Sequence, residues 1–345
     1  MSYNTHENFK ADVMKYQDQH VSDLLNAPSE SLQSFATLSG YAHDYASNGA
    51  YREAFMFSER ALTACETASG SIDSPEYAAL RRLRHQLLRD HLDLIVGASW
   101  PLLDKMWPPV FKNGHIREVS WTITPDNLES LAPAVRSEDC RRLRFLNIQV
   151  TTQPDEVLCH LGKLDFSPLR VLNLHFEQDP SPDAYQTFWN KAAQTAHALD
   201  SLTISMTRHT DIHAEICLSH LHALEALNLI SSDRDGMHEK ICEIIADGPI
   251  SQTLRTLALV GTSIGDSGLM TLLQNENFER LQMLILRDGI LTNAAADMIL
   301  ASELPQLRTI DIRYNQIDPA GLSKLDRISH IQMLTDHQNC RPDNA

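Results

Sequence analysis

The chain has 345 residues, a soft expectation of roughly two domains at about 150 residues each. Hydrophobic residues make up 43% and charged residues 21%, enough to bury a core, which excludes a chain disordered throughout. Lys and Arg total 29 against 45 Asp and Glu. The formal net charge of −16 argues against a general binder of nucleic acid or of anionic membrane, because phosphate recognition needs net or local positive charge.

The first residues, MSYNTHENFKADVMKYQ, show no basic stretch followed by an apolar one, so no secretory signal is read. No run of about 18 apolar residues predicts a membrane span. Cys65, Cys140, Cys159, Cys217, Cys242 and Cys340 are scattered without a CxxC pair. That usage fits reduced, structural thiols in a cytoplasmic protein. A signal-independent export route stays open on these grounds.

Residues 1–110 carry helix-type spacing and no strand-type alternation. Asn26, Pro28 and Ser29 break a first helix over about 7–25. The spacing predicts an antiparallel helix pair over 29–48 and 51–69, turning at Asn48-Gly49. A third helix is predicted over 75–96, with Tyr77, Leu80, Leu83, Leu87 and Ile95 on its apolar side. It ends at Gly97, and Trp107-Pro108-Pro109 marks the junction with the C-terminal two thirds of the chain. Small and aromatic residues recur in the pair: Leu38, Ala42, Tyr45, Gly49, Tyr51, Ala54 and Ala61. On those positions the segment resembles a single tetratricopeptide unit, within about 29–69. No second copy follows at a 34-residue shift.

From about residue 116 one pattern recurs: apolar, two variable, apolar, one variable, apolar. Its instances are Ile116/Val119/Trp121, Leu143/Leu146/Ile148, Leu169/Leu172/Leu174 and Leu199/Leu202/Ile204. Leu224/Leu227/Leu229, Leu254/Leu257/Leu259, Leu281/Leu284/Leu286 and Leu307/Ile310/Ile312 continue it, and Ile331/Leu334 begins a ninth. Successive starts lie 24 to 30 residues apart. The last two apolar residues of each triplet are two apart, so they share one face of a short strand. A turn and a helix-length apolar segment come after each strand. Such a unit cannot bury its own apolar side, but stacked units share one core.

The array resembles the leucine-rich repeat family, in particular its longer, ribonuclease-inhibitor-like class. Residues 254–273 and 307–325 fit best. The resemblance implies an α/β solenoid with parallel strands on a concave face and helices on a convex face. It also implies Asn, Cys or Thr at the ninth position of each repeat, bonding backbone in the turn. Thr124, Thr151, Thr207, Thr262 and Asn315 fit; Glu177, Ser232 and Gly289 depart. The expected organisation is a helical cap domain over 1–110, about eight repeats over 111–336 and a tail over 337–345.

Three motifs invite chemistry. Gly265-Asp266-Ser267-Gly268 spells the surroundings of a serine-protease nucleophile, but it falls where a repeat turns from strand to helix, so helix capping is the better reading. His209, His213 and Cys217 are four apart, a spacing that suits metal ligation on a helix; with His220 and His222 they read better as structural histidines. Arg81, Arg82, Arg84, His85 and Arg89 form a basic run, read as a solvated helix face paired with Asp90 and Asp93. Neither a catalytic constellation, a metal site nor a cofactor is assigned.

The leading candidate is the concave face. Its third, fifth and seventh strand positions point outward, with the eighth at the edge. The residues chosen as partner contacts are His175, Phe176, Met206, Ile230, Ile285, Arg287, Asp288, Arg313 and Tyr314. An apolar stripe with a polar rim suits a protein partner, and Arg and Tyr suit its anchors. The expectation is a non-enzymatic protein-interaction module, with no nucleic-acid or membrane partner. A secreted effector acting on a host or competitor is the alternative, and an enzyme with an unrecognised site in the helical region the third. Self-association through the open C-terminal end is a further possibility.

Overall fold

The computed structural model describes residues 32–67, 72–103, 109–112, 115–207, 221–233, 239–302, 304–336 and 338. The chain divides into two compact units, one of 1–100 with 110–116 and one of 101–109 with 117–345.

In the first unit the helix pair is α1 (Leu32–Ser47) and α2 (Tyr51–Thr67). Gly49 takes a φ of 78° in the turn between them, a conformation that costs glycine little. Leu38, Ala42 and Ala61 are buried between the helices with Phe57. Tyr45 stacks on Phe57 with ring centroids 5.3 Å apart.

The third predicted helix is broken. α3 (Pro75–Asp90) is followed by the short α4 (Leu92–Val96), with His91 between them in a non-helical conformation. The His91 ring stacks on Tyr51 at 3.5 Å, a tertiary contact that periodicity does not register. Ser74 caps α3 by accepting a hydrogen bond from the Tyr77 amide, and Pro75 occupies the first turn. A short strand, β1 (Val110–Lys112), closes the described part of this unit.

The second unit is built by the repeats. Its strands are β2 (His115–Ile123), β3 (Phe145–Val150), β4 (Val171–Phe176), β5 (Ser201–Met206) and β6 (Ala226–Ser231). They continue as β7 (Thr256–Val260), β8 (Met283–Ile285), β9 (Thr309–Asp311) and β10 (Gln332–Leu334). From β2 to β10 the strands lie in chain order, each parallel to the next. The register is that of the repeat: Val119 pairs with Leu146, Leu146 with Leu172, Leu172 with Leu202 and Leu202 with Leu227. Leu257, Leu284 and Ile310 extend the same row. No residue of this row is more than 3% exposed.

Between the strands run helices α5 (Leu131–Arg136), α6 (Pro154–Leu161), α7 (Pro182–Ala192) and α8 (Glu239–Asp247). α9 (Gly265–Gln274), α10 (Asn293–Leu300) and α11 (Pro319–Leu325) come after them. Their buried sides, such as Leu269 and Leu272 in α9 and Ala295 and Ile299 in α10, share the core with the leucine rows. Among the described residues no helix is long and apolar enough to cross a membrane.

The helix starts are tied from repeat to repeat. Asp155 accepts a hydrogen bond from the Ser181 amide at 2.7 Å. Asp266 accepts one from the Thr292 amide at 2.9 Å, and Asn293 one from the Asp318 amide at 3.0 Å. The receiving residues Ser181, Thr292 and Asp318 each cap their own helix as well. At these three junctions one short polar side chain fixes where the next helix begins.

The turn after β7 shows how tightly adjacent repeats approach. Gly261 has a φ of 68°, and a Cβ there would overlap the Ser231 carbonyl oxygen of the preceding repeat. Gly261→Ala therefore combines strain with a clash against backbone. We expect it to lower unfolding free energy by about 2–4 kcal/mol in urea titration; unchanged stability would contradict the packing described.

Candidate functional site

Over β2–β9 the sheet has one face of leucines and one face without them. At β10 the register departs from the predicted repeat: Met333 pairs with Ile310, and Leu334 lies opposite Asp311 on the second face. On the second face the fifth strand positions form a row in register: Ser120, Asn147, Asn173, Thr203 and Asn228. The row is partly hydrogen-bonded across strands. Asn147 donates to the Ser120 hydroxyl at 3.4 Å, and Asn228 to the Thr203 hydroxyl at 3.0 Å. The row then changes character, to Ala258, Ile285 and Asp311.

The seventh positions behave alike. Thr122, Gln149, His175 and Ser205 are polar, and Ile230 and Val260 are apolar and half-buried. Burial lowers the His175 pKa below its ordinary 6.5, so the ring is neutral at pH 7. At the fifth and seventh positions the exposed face is therefore mainly polar over β2–β5 and mainly apolar over β6–β8; the third positions do not follow this division, with Phe145 and Val171 half-buried on β3 and β4 and Thr256 on β7.

The eighth positions correct the sequence reading. Phe176 is 5% exposed and Met206 is 1% exposed, so both face the core. The reason is strand length. β3 to β6 are six residues each, and period-two alternation carries the eighth position to the leucine side. β8 and β9 are only three residues long. Their eighth positions, Asp288 and Tyr314, take left-handed φ values of 54° and 64° and are half-buried.

The ninth positions also divide. Asn315 is buried, and its Oδ1 accepts from the Gly289 and Leu291 amides at 2.9 and 3.0 Å. Its Nδ2 donates to the Leu286 and Ile312 carbonyls, both at 2.8 Å. Asn315 thereby supplies the turn of the preceding repeat, where Gly289 brings no side chain. Thr151 donates to the Ile123 carbonyl at 2.9 Å. Thr262, by contrast, buries its hydroxyl without a hydrogen-bond partner. The sequence reading missed Asn127, which serves the β2 turn by donating to the Thr122 carbonyl and accepting from the Thr124 amide.

Beside the apolar zone lies a charged cluster. Asp311, at the fifth position of its repeat and the last residue of β9, is buried, with its side chain 2% exposed. Arg287 Nε donates to its Oδ2 at 2.6 Å. Arg313 Nε donates to Oδ1 at 2.9 Å and Arg313 Nη2 to Oδ2 at 2.7 Å. The guanidinium-bearing side chains stay 38% and 26% exposed. Burial pushes the Asp311 carboxyl up, but hydrogen bonds from Arg313 and Arg287 outweigh it and hold the pKa below 3.8. One carboxylate thus fixes two arginines whose remaining N–H groups are unused by it.

Elsewhere the motifs have structural roles. In Gly265-Asp266-Ser267-Gly268, Asp266 also accepts from the Thr292 hydroxyl at 2.5 Å, and Ser267 donates to Glu239. The motif is a staple between repeats. In the basic run, Arg84 turns to the buried Glu59, and Arg89 pairs with Asp90 at 2.7 Å. His209, His213, Cys217 and His220 lie outside the described residues; His222 is exposed. Among the described residues no group of three His, Cys, Asp or Glu could hold a metal ion. Among the described residues Cys65, Cys140 and Cys242 are buried and Cys159 is exposed, none of them in a disulfide.

A folded pKa held below the unfolded value gives stability that is present above the unfolded value and lost as pH falls through the folded one. Asp311→Asn leaves two arginines on a neutral amide. With the arginines partly exposed, we expect a loss of about 1–3 kcal/mol at pH 7. Urea titrations of wild type and variant should converge as pH drops below 3.8, and a gap that persists unchanged would contradict this role for Asp311.

A family model described as Leucine Rich repeat matches residues 251–273 and 304–325. A search of curated proteins found no match. Among solved structures, a protein from Bacteroides fragilis is 15% identical, with a TM-score of 0.47, over 64% of this chain and 74% of that one. An internalin from Listeria monocytogenes is 19% identical, with a TM-score of 0.36, over 61% of this chain and 57% of that one. A chain of the yeast Rad7 and Elc1 complex is 14% identical, with a TM-score of 0.38, over 88% of this chain and 86% of that one. The matched repeats, and the register that carries their pattern from β2 to β9, give the second unit the fold of a leucine-rich repeat solenoid.

Proposed function

We propose that the protein is a non-enzymatic interaction module whose partner is another protein, held on the leucine-free face of the sheet. Stacked repeats commonly present such extended binding surfaces. The observation that carries the reading is the change of character along that face. Its N-terminal fifth and seventh positions are polar, and two cross-strand hydrogen bonds lie in the fifth-position row. Its C-terminal rows expose Ile230, Val260 and Ile285 in part, next to arginines fixed on Asp311.

That combination suits an interface centre. Half-exposed β-branched residues supply apolar area at little side-chain entropy cost. Arg287 and Arg313 are already ordered by Asp311, so binding immobilises them less than free arginines. Of the residues chosen from sequence, Ile230, Ile285, Arg287 and Arg313 form this zone, with Asp288 and Tyr314 at its turns. His175 belongs to the polar zone as a rim contact.

The test is quantitative affinity capture from native lysate, followed by mass spectrometry, with wild type against Arg287→Ala/Ile230→Ser. Arg313 still neutralises Asp311 in this variant, so circular dichroism should be unchanged. A hot-spot pair is worth about 2 kcal/mol or more, so the captured partner should fall roughly thirtyfold. Equal capture by the two folded proteins would count against this face.

A further inference from the structure

A cleft of about 630 Å³ opens away from the sheet face, at the C-terminal ends of α9 and α10. Its apolar lining includes Met270, Met298 and Leu304, and its charged lining is Glu276 and Glu279. Met270 is 40% exposed, and Leu300, in the same helix as Met298, is 45% exposed. Met270 thus offers exposed apolar surface at the cleft itself, whereas Leu300 lies on another side of its helix. Methionine side chains are flexible and polarisable, which suits surfaces that accept more than one apolar shape.

The electrostatics select the partner. Among the described residues lining the cleft both charged groups are acidic. Two helices end there, and helix C-termini carry the negative end of the backbone dipole, which favours cations. The whole chain has a formal charge of −16, so long-range attraction acts in the same sense. A surface with an apolar floor and an acidic rim complements a helix with apolar residues on one side and Lys or Arg beside them.

We propose that this cleft is a second docking surface, taking a basic amphipathic segment of a partner protein. Met270 and Met298 would receive the apolar anchor, and Glu276 and Glu279 the flanking cations. The proposal is independent of the sheet-face reading, because it uses none of the same residues.

The test uses two synthetic amphipathic peptides, one of leucine and lysine and its twin with glutamate in place of lysine. Fluorescence anisotropy would follow their binding to the full chain. The lysine peptide should bind saturably and the glutamate twin at least about tenfold more weakly. Glu276→Lys/Glu279→Lys should weaken the lysine peptide at least about tenfold, and Met270→Arg should weaken it as well. Reversal of two exposed acids elsewhere, Glu118→Lys/Glu129→Lys, should change it less than about twofold, and Arg287→Ala should leave it unchanged. Four results would overturn the proposal: no saturable binding, equal binding of the twin, equal loss from the distant reversal, or loss with Arg287→Ala. The last would place the peptide on the sheet face instead.

Discussion

A strand and a helix joined by short turns cannot bury the leucines between them, and every other feature of the repeat unit stems from that shortage. The residues Val119, Leu146, Leu172, Leu202, Leu227, Leu257, Leu284 and Ile310 lose contact with water only because each strand lies in register beside the next. A slip of one residue would turn a leucine row to solvent and a polar row to the core. Register is therefore strongly specified, and ties between repeats reinforce it in the segments that follow several of the strands. Asn315 and Gly261 act at the turn after the strand; Asp155, Asp266 and Asn293 act at the start of the helix.

The same constraint creates the candidate binding face. Once alternate residues are committed to the core, the intervening ones form rows across several strands with no role in burial. They can vary row by row without disturbing the stack. Here they shift from amides and hydroxyls, through aliphatic residues, to the arginines held on Asp311. A buried carboxylate on an exposed face is costly unless paired. Its presence at the end of β9 is explained by what it does to Arg287 and Arg313, whose guanidinium groups it orders. Away from the sheet, the helix ends gather acidic and apolar groups around one cleft. The molecule thus offers two surfaces of different chemistry on one array of repeats.

Much of this was legible in the sequence because the repeat writes it many times over. The leucine triplets located the strands, and the turn at Asn48-Gly49 located the helix pair. What escaped depends on contacts between positions that no period links. The break of the third helix at His91 accompanies a ring contact with Tyr51. Phe176 and Met206 were misplaced because the sequence reading set the eighth position at the edge of the strand, whereas β4 and β5 continue through it and turn it to the core. Asp311 appeared as one polar residue among several; only the structure brings both arginines onto its carboxylate. The Gly265–Gly268 motif read as helix capping, although Asp266 also serves the next repeat.

The functional reading rests on the division of the sheet into a closed face and an open one. Hydroxyl-radical footprinting of the unmodified chain, read by mass spectrometry, tests that division most directly. Met206 is 1% exposed, whereas Met283 on the open face is 36% exposed and Met270 at the cleft is 40% exposed. Rapid oxidation at Met283 and Met270, with protection at Met206, is the result expected of the native chain. Oxidation of Met206 at the rate of the other two would contradict it and return the eighth positions of β4 and β5 to the exposed face.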